Sequence, residues 1–460
     1  MTRFSPVWHP MTQHKTAGDA LHVERAEGAI LHVRKGDVEG QTRPIIDGVS
    51  SWWVNTHGHC HPKIVKAVQE QAAKLEQVIF AGFTHDPAEK LTRKLISTVR
   101  TEFRRCEGSA LEFAFYSDSG STSIEIALKM AIGYFAEKGE KRHRIIALDG
   151  GYHGDTFGTM STGSRGVFNE QFEPFLFDVK HMPFPRKGIE GKVLSYFNRY
   201  LKKYGSEVAA FVFEPLVQGA AGMRIYSPAV LKKMASMCRE HGILLIADEV
   251  MTGFGRTGSM FACSKAGFKP DLLCLSKGIT GGFLPMGATL ATREIYKAFY
   301  KDTKAEQFFH STSFTANPMA CAAAVASLEI WEDEPVLENI QRVCESHRRA
   351  AGWFSARPDV AEVRVKGSIF AVEVEDDNGG YLSDMAQPLY DFMLDNGVLL
   401  RPIGNIAYIL PPYCIKEEEL EKIYETLWRG LDMVRDRGKK KASEDDGRAA
   451  NEHRRYQNVA

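Results

Sequence analysis

The chain has 460 residues, which is too long for one simple core, so we expect a large domain and a smaller one. Its 58 basic residues balance its 58 acidic residues, which gives no electrostatic reason to expect a nucleic acid or a membrane surface as a partner. No apolar run approaches the roughly 18 residues of a spanning helix, and no export signal is apparent. The 8 cysteines are scattered without a Cys-x-x-Cys pair, which favours reduced thiols in a cytoplasmic protein.

The middle of the chain alternates between strand-like and helix-like patterns. Several strand-like runs are apolar at nearly every position, as is typical of strands buried between two layers of helices. These runs are 111–116, 144–148, 209–213, 243–247 and 272–275. The pattern predicts an α/β large domain over residues 66–325, built on a mainly parallel sheet.

The two flanks differ from this core. Residues 1–65 mix short strands and turns, and residues 326–437 carry a helix followed by alternating runs such as 369–374. We expect the two flanks to fold together as a smaller α+β domain formed from both chain ends. The segment 438–460 is polar and has almost nothing apolar to bury, so we expect a disordered tail.

A carboxylate ends one of the buried strands. The run 243–247 leads directly into Asp248, at the edge where open α/β sheets bind ligands. An ionised aspartate in such a place needs a cationic partner, and the protonated pyridine nitrogen of pyridoxal 5'-phosphate (PLP) would be one. Taken alone, Asp248 could equally be a strand-end residue that caps the next turn.

A lysine follows the next buried strand. The run 272–275 delivers Lys277 into the glycine-rich loop 278–282. A lysine that binds a cofactor as a Schiff base must present a neutral amine, which burial promotes by lowering its pKa. Most loop lysines are simply solvated, but the pairing of Lys277 with Asp248 on neighbouring strand ends favours the catalytic interpretation.

The glycines at 253–258 also match G-x-G-x-x-G, the dinucleotide-binding pattern. The following segment 261–267 is too short and too interrupted by glycine for the crossover helix that this pattern requires. A nicotinamide-dependent oxidoreductase is therefore the weaker alternative. It predicts a colourless protein that binds NAD and in which Lys277 is dispensable.

Two further segments could contact a phosphorylated aromatic cofactor. The segment 116–123 joins a strand to a helix and places Gly120 and Ser121 at the helix N-terminus, where backbone N–H groups favour an anion. An ordinary helix cap is the alternative there. In the segment 150–155, Tyr152 could stack on a flat ring or could serve only in packing.

A set of motifs in one order resembles the class III aminotransferases, which are fold-type I PLP enzymes, over residues 5–435. The set is Asp-Ser-Gly-Ser at 118–121, Gly-Tyr-His-Gly-Asp at 151–155, Glu-Pro at 214–215 with Gln-Gly at 218–219, Ala-Asp-Glu-Val at 247–250, Thr-Gly-Phe-Gly-Arg-Thr-Gly at 252–258 and Ser-Lys-Gly at 276–278. The resemblance implies an aminotransferase that uses PLP as its cofactor.

The resemblance also assigns cofactor contacts. It implies that Lys277 holds PLP and shuttles protons, that Asp248 pairs with the pyridine nitrogen and that Tyr152 stacks on the ring. Gly120 and Ser121 would hold the phosphate. Thr312 and Ser313 would reach the phosphate of the other subunit, which implies a homodimer with its active site at the subunit interface.

A second set of motifs resembles the members of this family that form 7,8-diaminononanoate from 8-amino-7-oxononanoate in biotin biosynthesis. The set is Trp-His-Pro at 8–10, 47–53 with Ser-Ser-Trp-Trp, His-Gly at 57–58, Phe-Thr-His at 83–85, 398–402 and 410–413. It implies that Trp52, Tyr152 and Ser311 line the substrate cleft and that Arg401 binds the substrate carboxylate in a bidentate pair. An exposed arginine ahead of a proline is the alternative for Arg401.

Three departures from the relatives that use S-adenosylmethionine bear on the amino donor. Those relatives have a tyrosine at Met11 and His-Gly-Pro-Thr at 310–313, and the segments 281–285 and 296–308 are more similar to lysine-using relatives. The expected donor is S-adenosylmethionine or lysine. Another class III ω-aminotransferase with a different donor and acceptor is the alternative function, and a non-catalytic PLP-binding member is a third.

The run 57–61 contains three alternating histidines. The turn holds glycine and proline and has no second ligand pair nearby, so structural or substrate-side roles are favoured over a metal site. We expect no metal.

Overall fold

The computed structural model describes residues 6–36, 40–376 and 379–457, with side chains up to residue 437. The strands are β1 Val23–Glu27, β2 Ile30–Arg34, β3 Thr42–Asp47, β4 Leu111–Ser117, β5 Arg144–Leu148, β6 Val179–Met182, β7 Val208–Phe213, β8 Val217–Gln218, β9 Arg224–Ile225, β10 Leu244–Asp248, β11 Leu272–Leu275, β12 Gly287–Thr292, β13 Val360–Lys366, β14 Ile369–Val374, β15 Val398–Leu399 and β16 Ile406–Ile409.

The helices are α1 Ser50–Trp53, α2 Pro62–Ala72, α3 Asp86–Glu102, α4 Gly120–Glu137, α5 Phe157–Thr162, α6 Glu190–Tyr204, α7 Pro228–Glu240, α8 Cys263–Ala266, α9 Arg293–Ala298, α10 Pro318–Asp333, α11 Val336–Phe354, α12 Ala386–Asp395 and α13 Glu417–Gln457. Short 3₁₀ turns lie at Glu170–Phe175, Gly205–Glu207, Lys277–Thr280 and Lys304–Glu306. Within the residues described, no helix is long and apolar enough to cross a membrane.

A seven-stranded sheet forms the centre of the molecule, in the order β4-β12-β11-β10-β7-β5-β6. Strand β12 is antiparallel to both of its neighbours, and the other pairs are parallel. All residues of β7 and β11 are buried, because helices cover both faces of the sheet. The α/β large domain with a mainly parallel sheet is therefore confirmed.

Polar caps fix where the helices around this sheet begin. The Ser119 hydroxyl accepts a hydrogen bond from the Thr122 N–H at 3.2 Å, and Thr122 Oγ1 in turn accepts one from the Ser119 N–H at 3.0 Å. This reciprocal pair is a capping box and starts α4 at Gly120. Since α4 follows β4 directly, its N-terminus lies at the carboxyl edge of the sheet.

Smaller sheets come from the two ends of the chain. One has the order β1-β2-β3-β15, and β15 pairs with β3 in parallel, with Val398 opposite Ile46. The other has the order β13-β14-β16. The β3–β15 pairing supports the expectation that both chain ends fold together.

The limits of the domains stay predictions. Helix α10 runs through residues 325 and 326, so the boundary placed between them falls inside a helix. The backbone of α13 continues to Gln457 and so extends into the segment 438–460, for which the sequence predicts disorder. The side chains of that segment lie outside the described residues.

Candidate active site

Four polar side chains follow the carboxyl ends of neighbouring strands in the large sheet. Asp248 ends β10, Lys277 follows β11, Glu214 follows β7 and Tyr152 follows β5. Asp248 is in register with Cys274 of β11, and Ala247 is in register with Phe213 of β7. Parallel strands end at one edge, so residues from distant parts of the sequence form one site there.

Asp248 is buried and has two hydrogen-bonding partners. Its Oδ2 atom lies 2.7 Å from His153 Nδ1, and its Oδ1 atom accepts the Val250 N–H at 3.1 Å. Burial alone would lower the pKa of His153, but the hydrogen bond and charge of Asp248 outweigh it and raise that pKa. His153 thus keeps a proton on the side of Asp248, and the Asp248 carboxylate would suit a cationic ring nitrogen.

Lys277 is held in a strained backbone conformation with φ of 44°. Its Nζ atom lies 5.1 Å from the centre of the Trp53 indole ring. Burial lowers the pKa of the Lys277 amine, while the charges of Asp248 and Glu214 act in the opposite direction. A lowered pKa increases the neutral fraction of the amine, which is the form that reacts with a carbonyl.

Glu214 is buried near Asp248 and Lys277. Its carboxyl accepts the Tyr152 N–H at 3.1 Å and the Gly219 N–H at 2.9 Å. Burial raises the pKa of Glu214 to about 7. Glu214 therefore fixes the backbone that carries Tyr152.

The N-terminus of α4 forms a narrow cradle beside the site. The Asp155 N–H donates to Ser121 Oγ at 3.3 Å. A side chain at Gly154, with φ of +132°, would collide with Ser121, and one at Gly120 would meet Val250 Cγ1 at 2.7 Å. The unpaired N–H groups of a helix N-terminus bind phosphate groups well, so Gly120 and Ser121 fit the phosphate of PLP.

Two of the residues expected to contact substrate, Trp52 and Arg401, lie together. The Arg401 guanidinium carbon lies 4.8 Å from the centre of the Trp52 ring, and Trp52 is 43% exposed. Arg401 Nη2 lies 3.5 Å from the carbonyl oxygen of Met11. Next along the chain, Trp53 is buried and donates from Nε1 to the Tyr408 hydroxyl at 2.9 Å.

The segment 311–313 lies near the phosphate cradle but is largely exposed. Thr312 Oγ1 donates to Asp118 Oδ1 at 3.2 Å, and the Ser313 carbonyl accepts from Gln77 Nε2 at 2.9 Å. Ser311 and Ser313 are exposed. The structure thus places Thr312 against Asp118, which precedes Gly120 of the cradle by two residues in the chain. The roles of all three residues stay predictions.

The three alternating histidines point to separate partners. His57 Nε2 lies 3.1 Å from Ser327 Oγ, His59 Nε2 lies 2.9 Å from Asp47 Oδ2, and His61 Nε2 lies 3.3 Å from Glu334 Oε1. Nowhere in the described part of the chain do three or more potential ligands form a metal-binding group.

Sequence reasoning missed four residues of this site. His153 and Glu214 stood in recognised motifs but had no assigned role, and the aromatic pair Trp53 and Tyr408 was not considered. A polar residue next to a candidate ring-stacking tyrosine was the signal for His153. No sequence signal marked Tyr408, because only the fold brings it to Trp53.

The fold and the site are together those of a fold-type I, PLP-dependent transaminase. A crystal structure of adenosylmethionine-8-amino-7-oxononanoate aminotransferase from Methanocaldococcus jannaschii is similar, with a TM-score of 0.85 and 34% identity, covering 93% of this chain and 97% of that one. A PLP-bound amine transaminase from an uncultivated Pseudomonas species has a TM-score of 0.84 and 30% identity, covering 94% of this chain and 99% of that one.

The aminotransferase class-III family model matches residues 12–431, and the chain belongs to this family. An adenosylmethionine-8-amino-7-oxononanoate aminotransferase from Synechococcus elongatus is 44% identical over 434 residues, which is 93% of this chain and 99% of that protein. One from Geobacter sulfurreducens is 35% identical, over 93% of this chain and 96% of that protein. The protein is thus a PLP-dependent aminotransferase and not a nicotinamide-dependent oxidoreductase.

Proposed function

We propose that this enzyme transfers an amino group to 8-amino-7-oxononanoate and forms 7,8-diaminononanoate in biotin biosynthesis. The observation that carries the proposal is the placement of Arg401 over Trp52, which is followed in the chain by Trp53 beside Lys277. A cation at the mouth of the site suits an acceptor that carries its carboxylate far from its ketone. The names of the relatives in Synechococcus and Geobacter support the same substrate.

The side chains of the site divide the work of the reaction. When bound, PLP supplies an electron sink at the carbon that loses or gains the amino group. Lys277 reacts as a neutral amine and carries protons within the site, because burial lowers its pKa. Asp248, held by His153, would pair its carboxylate with the ring nitrogen, and Tyr152 would pack against the ring.

The first experiment adds 7,8-diaminononanoate to the purified, PLP-loaded enzyme and follows its visible absorption band. This runs the second half-reaction backwards and does not depend on the donor. We expect the band to convert to that of pyridoxamine phosphate in the wild type and not in Lys277→Ala. A band that is present but unmoved would exclude this substrate, and the absence of any band would contradict the role of Lys277.

For the amino donor we propose S-adenosylmethionine, following the names of the relatives, with lysine as the alternative. Met11 favours the alternative, because it lies beside Arg401 and supplies no side-chain hydroxyl to a donor. The visible absorption band of the PLP-loaded enzyme, followed with S-adenosylmethionine and with lysine in turn, distinguishes the two donors. Conversion by lysine alone would exclude S-adenosylmethionine.

Another class III ω-aminotransferase activity is the second candidate, because an amine transaminase has nearly the same fold. A panel of amines and ketones without a carboxylate tests it. If Arg401→Ala lowers activity on 8-amino-7-oxononanoate but leaves activity on such ketones unchanged, the first candidate is supported. Equal activity of the wild type on both acceptor classes would favour the second.

We further infer that the enzyme is a homodimer in which Thr312 and Ser313 reach the phosphate of the partner's cofactor. The hydrogen bond from Gln77 to the Ser313 carbonyl joins two segments rich in exposed apolar residues. These residues are Ile79, Phe83, Phe309 and Phe314, each at least 60% exposed. Such a patch on a folded chain marks an interaction surface.

Mixed dimers test this arrangement. Lys277→Ala is unfolded and refolded together with the double variant Thr312→Ala, Ser313→Ala. If the segment acts across the interface, each mixed dimer has one intact site and one doubly defective site, so activity recovers to about a quarter of the wild-type value. No recovery above the average of the two separate variants would contradict a shared site.

We also infer a cytoplasmic location. All 8 cysteines are free thiols. Free thiols are typical of a reducing compartment. Fractionation of the producing cells, with the enzyme detected by antibody, tests this inference.

A further inference from the structure

The segment that carries Trp52 and Trp53 is backbone-strained. Within α1, three of four residues have positive φ although none is glycine: Ser50 at 51°, Ser51 at 60° and Trp53 at 64°. Such conformations are sparsely populated for residues other than glycine and persist only where surrounding contacts determine them. We call residues 50–53 the tryptophan turn.

Asp47 supplies the contacts to Ser51, in the middle of the turn. Its side chain is fully buried, and its Oδ1 atom accepts the Val49 N–H at 3.1 Å. Its Oδ2 atom accepts the Ser51 N–H at 2.7 Å and the Ser51 hydroxyl at 3.3 Å. His59 Nε2 lies 2.9 Å from the same Oδ2 atom and fixes the carboxylate from the far side.

Other contacts hold the ends of the turn. The Ser50 hydroxyl donates to the Leu410 carbonyl at 2.7 Å, and Arg256 Nη2 lies 3.3 Å from the Trp53 carbonyl. The Trp53 N–H also donates to the Val49 carbonyl at 3.1 Å. None of these contacts involves Ser51, whose backbone N–H and hydroxyl are held by Asp47.

The two tryptophans have different surroundings. Trp52 is 43% exposed and lies under the Arg401 guanidinium, whereas Trp53 is buried beside Lys277 and Tyr408.

We propose that Asp47 is a positioning residue for substrate selection. Held by His59, its carboxylate keeps Trp52 stacked on Arg401, so that the guanidinium stays oriented for a substrate carboxylate. This inference rests on the proposed function, because it assumes that Arg401 selects the acid. Asp47 does not touch the substrate and acts through Ser51 and Trp52.

The test compares Asp47→Asn with the wild type on 8-amino-7-oxononanoate and on its methyl ester. An amide has one acceptor oxygen, so either the Val49 N–H or the Ser51 N–H loses its partner. We expect the preference for the acid, as the ratio of kcat/KM values, to fall about tenfold, with the change mainly in KM. Arg401→Ala should reduce the same preference, and the double variant should add little further loss.

Tyr424→Phe is the control for a general loss of stability. It removes the buried contact of 2.6 Å between the Tyr424 hydroxyl and His347 Nδ1, at a distance from the turn. We expect it to lower the melting temperature and leave the preference for the acid unchanged. An equal loss of preference in Tyr424→Phe and Asp47→Asn would overturn the proposal.

A second readout does not depend on the substrate. The fluorescence of Trp52 is the part of the signal that Trp52→Phe removes. Quenching of this part by acrylamide reports how exposed Trp52 is. We expect this quenching to increase in Asp47→Asn. Unchanged quenching would overturn the inference. If the wild type fails to act on 8-amino-7-oxononanoate while Asp47→Asn still loosens Trp52, the proposed function falls and the role of Asp47 in the turn stands.

Discussion

His153 Nδ1 lies 2.7 Å from Asp248 Oδ2, and both side chains are buried at the carboxyl edge of the large sheet. The two residues are far apart in sequence and meet because β5 and β10 both flank β7. A buried charge that is paired in this way keeps a defined geometry, whereas a lone one would neutralise. The pair gives Asp248 a fixed position before any cofactor is bound.

We therefore predict that His153→Phe lowers kcat/KM for amino transfer about 10- to 100-fold, because a hydrogen bond to a charged group contributes about 1.5–3 kcal/mol. Steady-state kinetics and PLP titration measure the effect. His347→Phe is the matched control, since His347 is also buried but binds Tyr424 and Ser368 in the smaller domain. Equal losses in the two variants would contradict a specific role for His153.

The phosphate cradle predicts a difference between two glycines with positive φ. Gly154→Ala places a methyl group against Ser121, whereas Gly139, with φ of +72°, has nothing within 4 Å of the added carbon. Overpacking costs about 1–3 kcal/mol, so we expect the Kd for PLP to rise about tenfold in Gly154→Ala. Gly139→Ala shares the backbone strain and should bind PLP like the wild type, as equilibrium titration of the apo enzymes would show.

Glu214 predicts a pH dependence of stability. Its pKa in the folded chain is about 7, above the ordinary value of 4.5, because of burial. The folded state therefore binds this proton more tightly, so the stabilisation is complete below 4.5 and is lost as the pH rises through about 7.

We expect the melting temperature of the wild type to fall, relative to Glu214→Gln, between about pH 5 and about pH 8. Differential scanning fluorimetry across this range measures the difference. Glu249, with a similarly raised pKa, is present in both proteins and cancels in the comparison. The exposed Glu240→Gln is the control and should follow the wild type; a constant offset between wild type and Glu214→Gln would exclude the raised pKa.

Arg256 joins parts of the chain that are distant in sequence. Its guanidinium is fully buried and donates to the carbonyl groups of Pro411 at 2.9 Å and Asn55 at 3.0 Å. Arg256→Met should destabilise the fold by about 3 kcal/mol, because these carbonyls lose charged donors without access to water. Arg293→Met, which breaks an exposed ion pair with Glu112, should cost about 1 kcal/mol or less by denaturant unfolding. Similar costs would show that Arg256 is not a structural link.

Much of the large domain could be predicted because its strands are buried on both faces. Runs such as 209–213 and 272–275 are apolar at every position, and a parallel sheet needs this pattern. The same logic brought Asp248 and Lys277 together, since both follow such runs. The family resemblance then assigned Tyr152, Gly120 and Ser121 without information on their contacts.

The contacts between distant segments could not be predicted. Asp47 opens the motif 47–53, but no role was predicted for its side chain, and only the fold shows that its carboxylate accepts hydrogen bonds from Ser51 in the tryptophan turn. Likewise, Arg256 stands in a glycine-rich motif that gave no prediction for its side chain, whereas its guanidinium is buried against carbonyl groups. Hydrophobic periodicity says which residues are buried but not which polar groups meet.

The pairing of β3 with β15 also has a consequence for how the enzyme is made. Residues 46 and 398 must meet before the N-terminal sheet is complete, and the turn after β3 is held by the Leu410 carbonyl. A chain still emerging from the ribosome can form much of the central sheet but lacks the strand that closes this region. The end that carries Trp52 and Arg401 is thus assembled last, so an incomplete chain would gather the residues proposed to bind PLP before those proposed to select an acceptor.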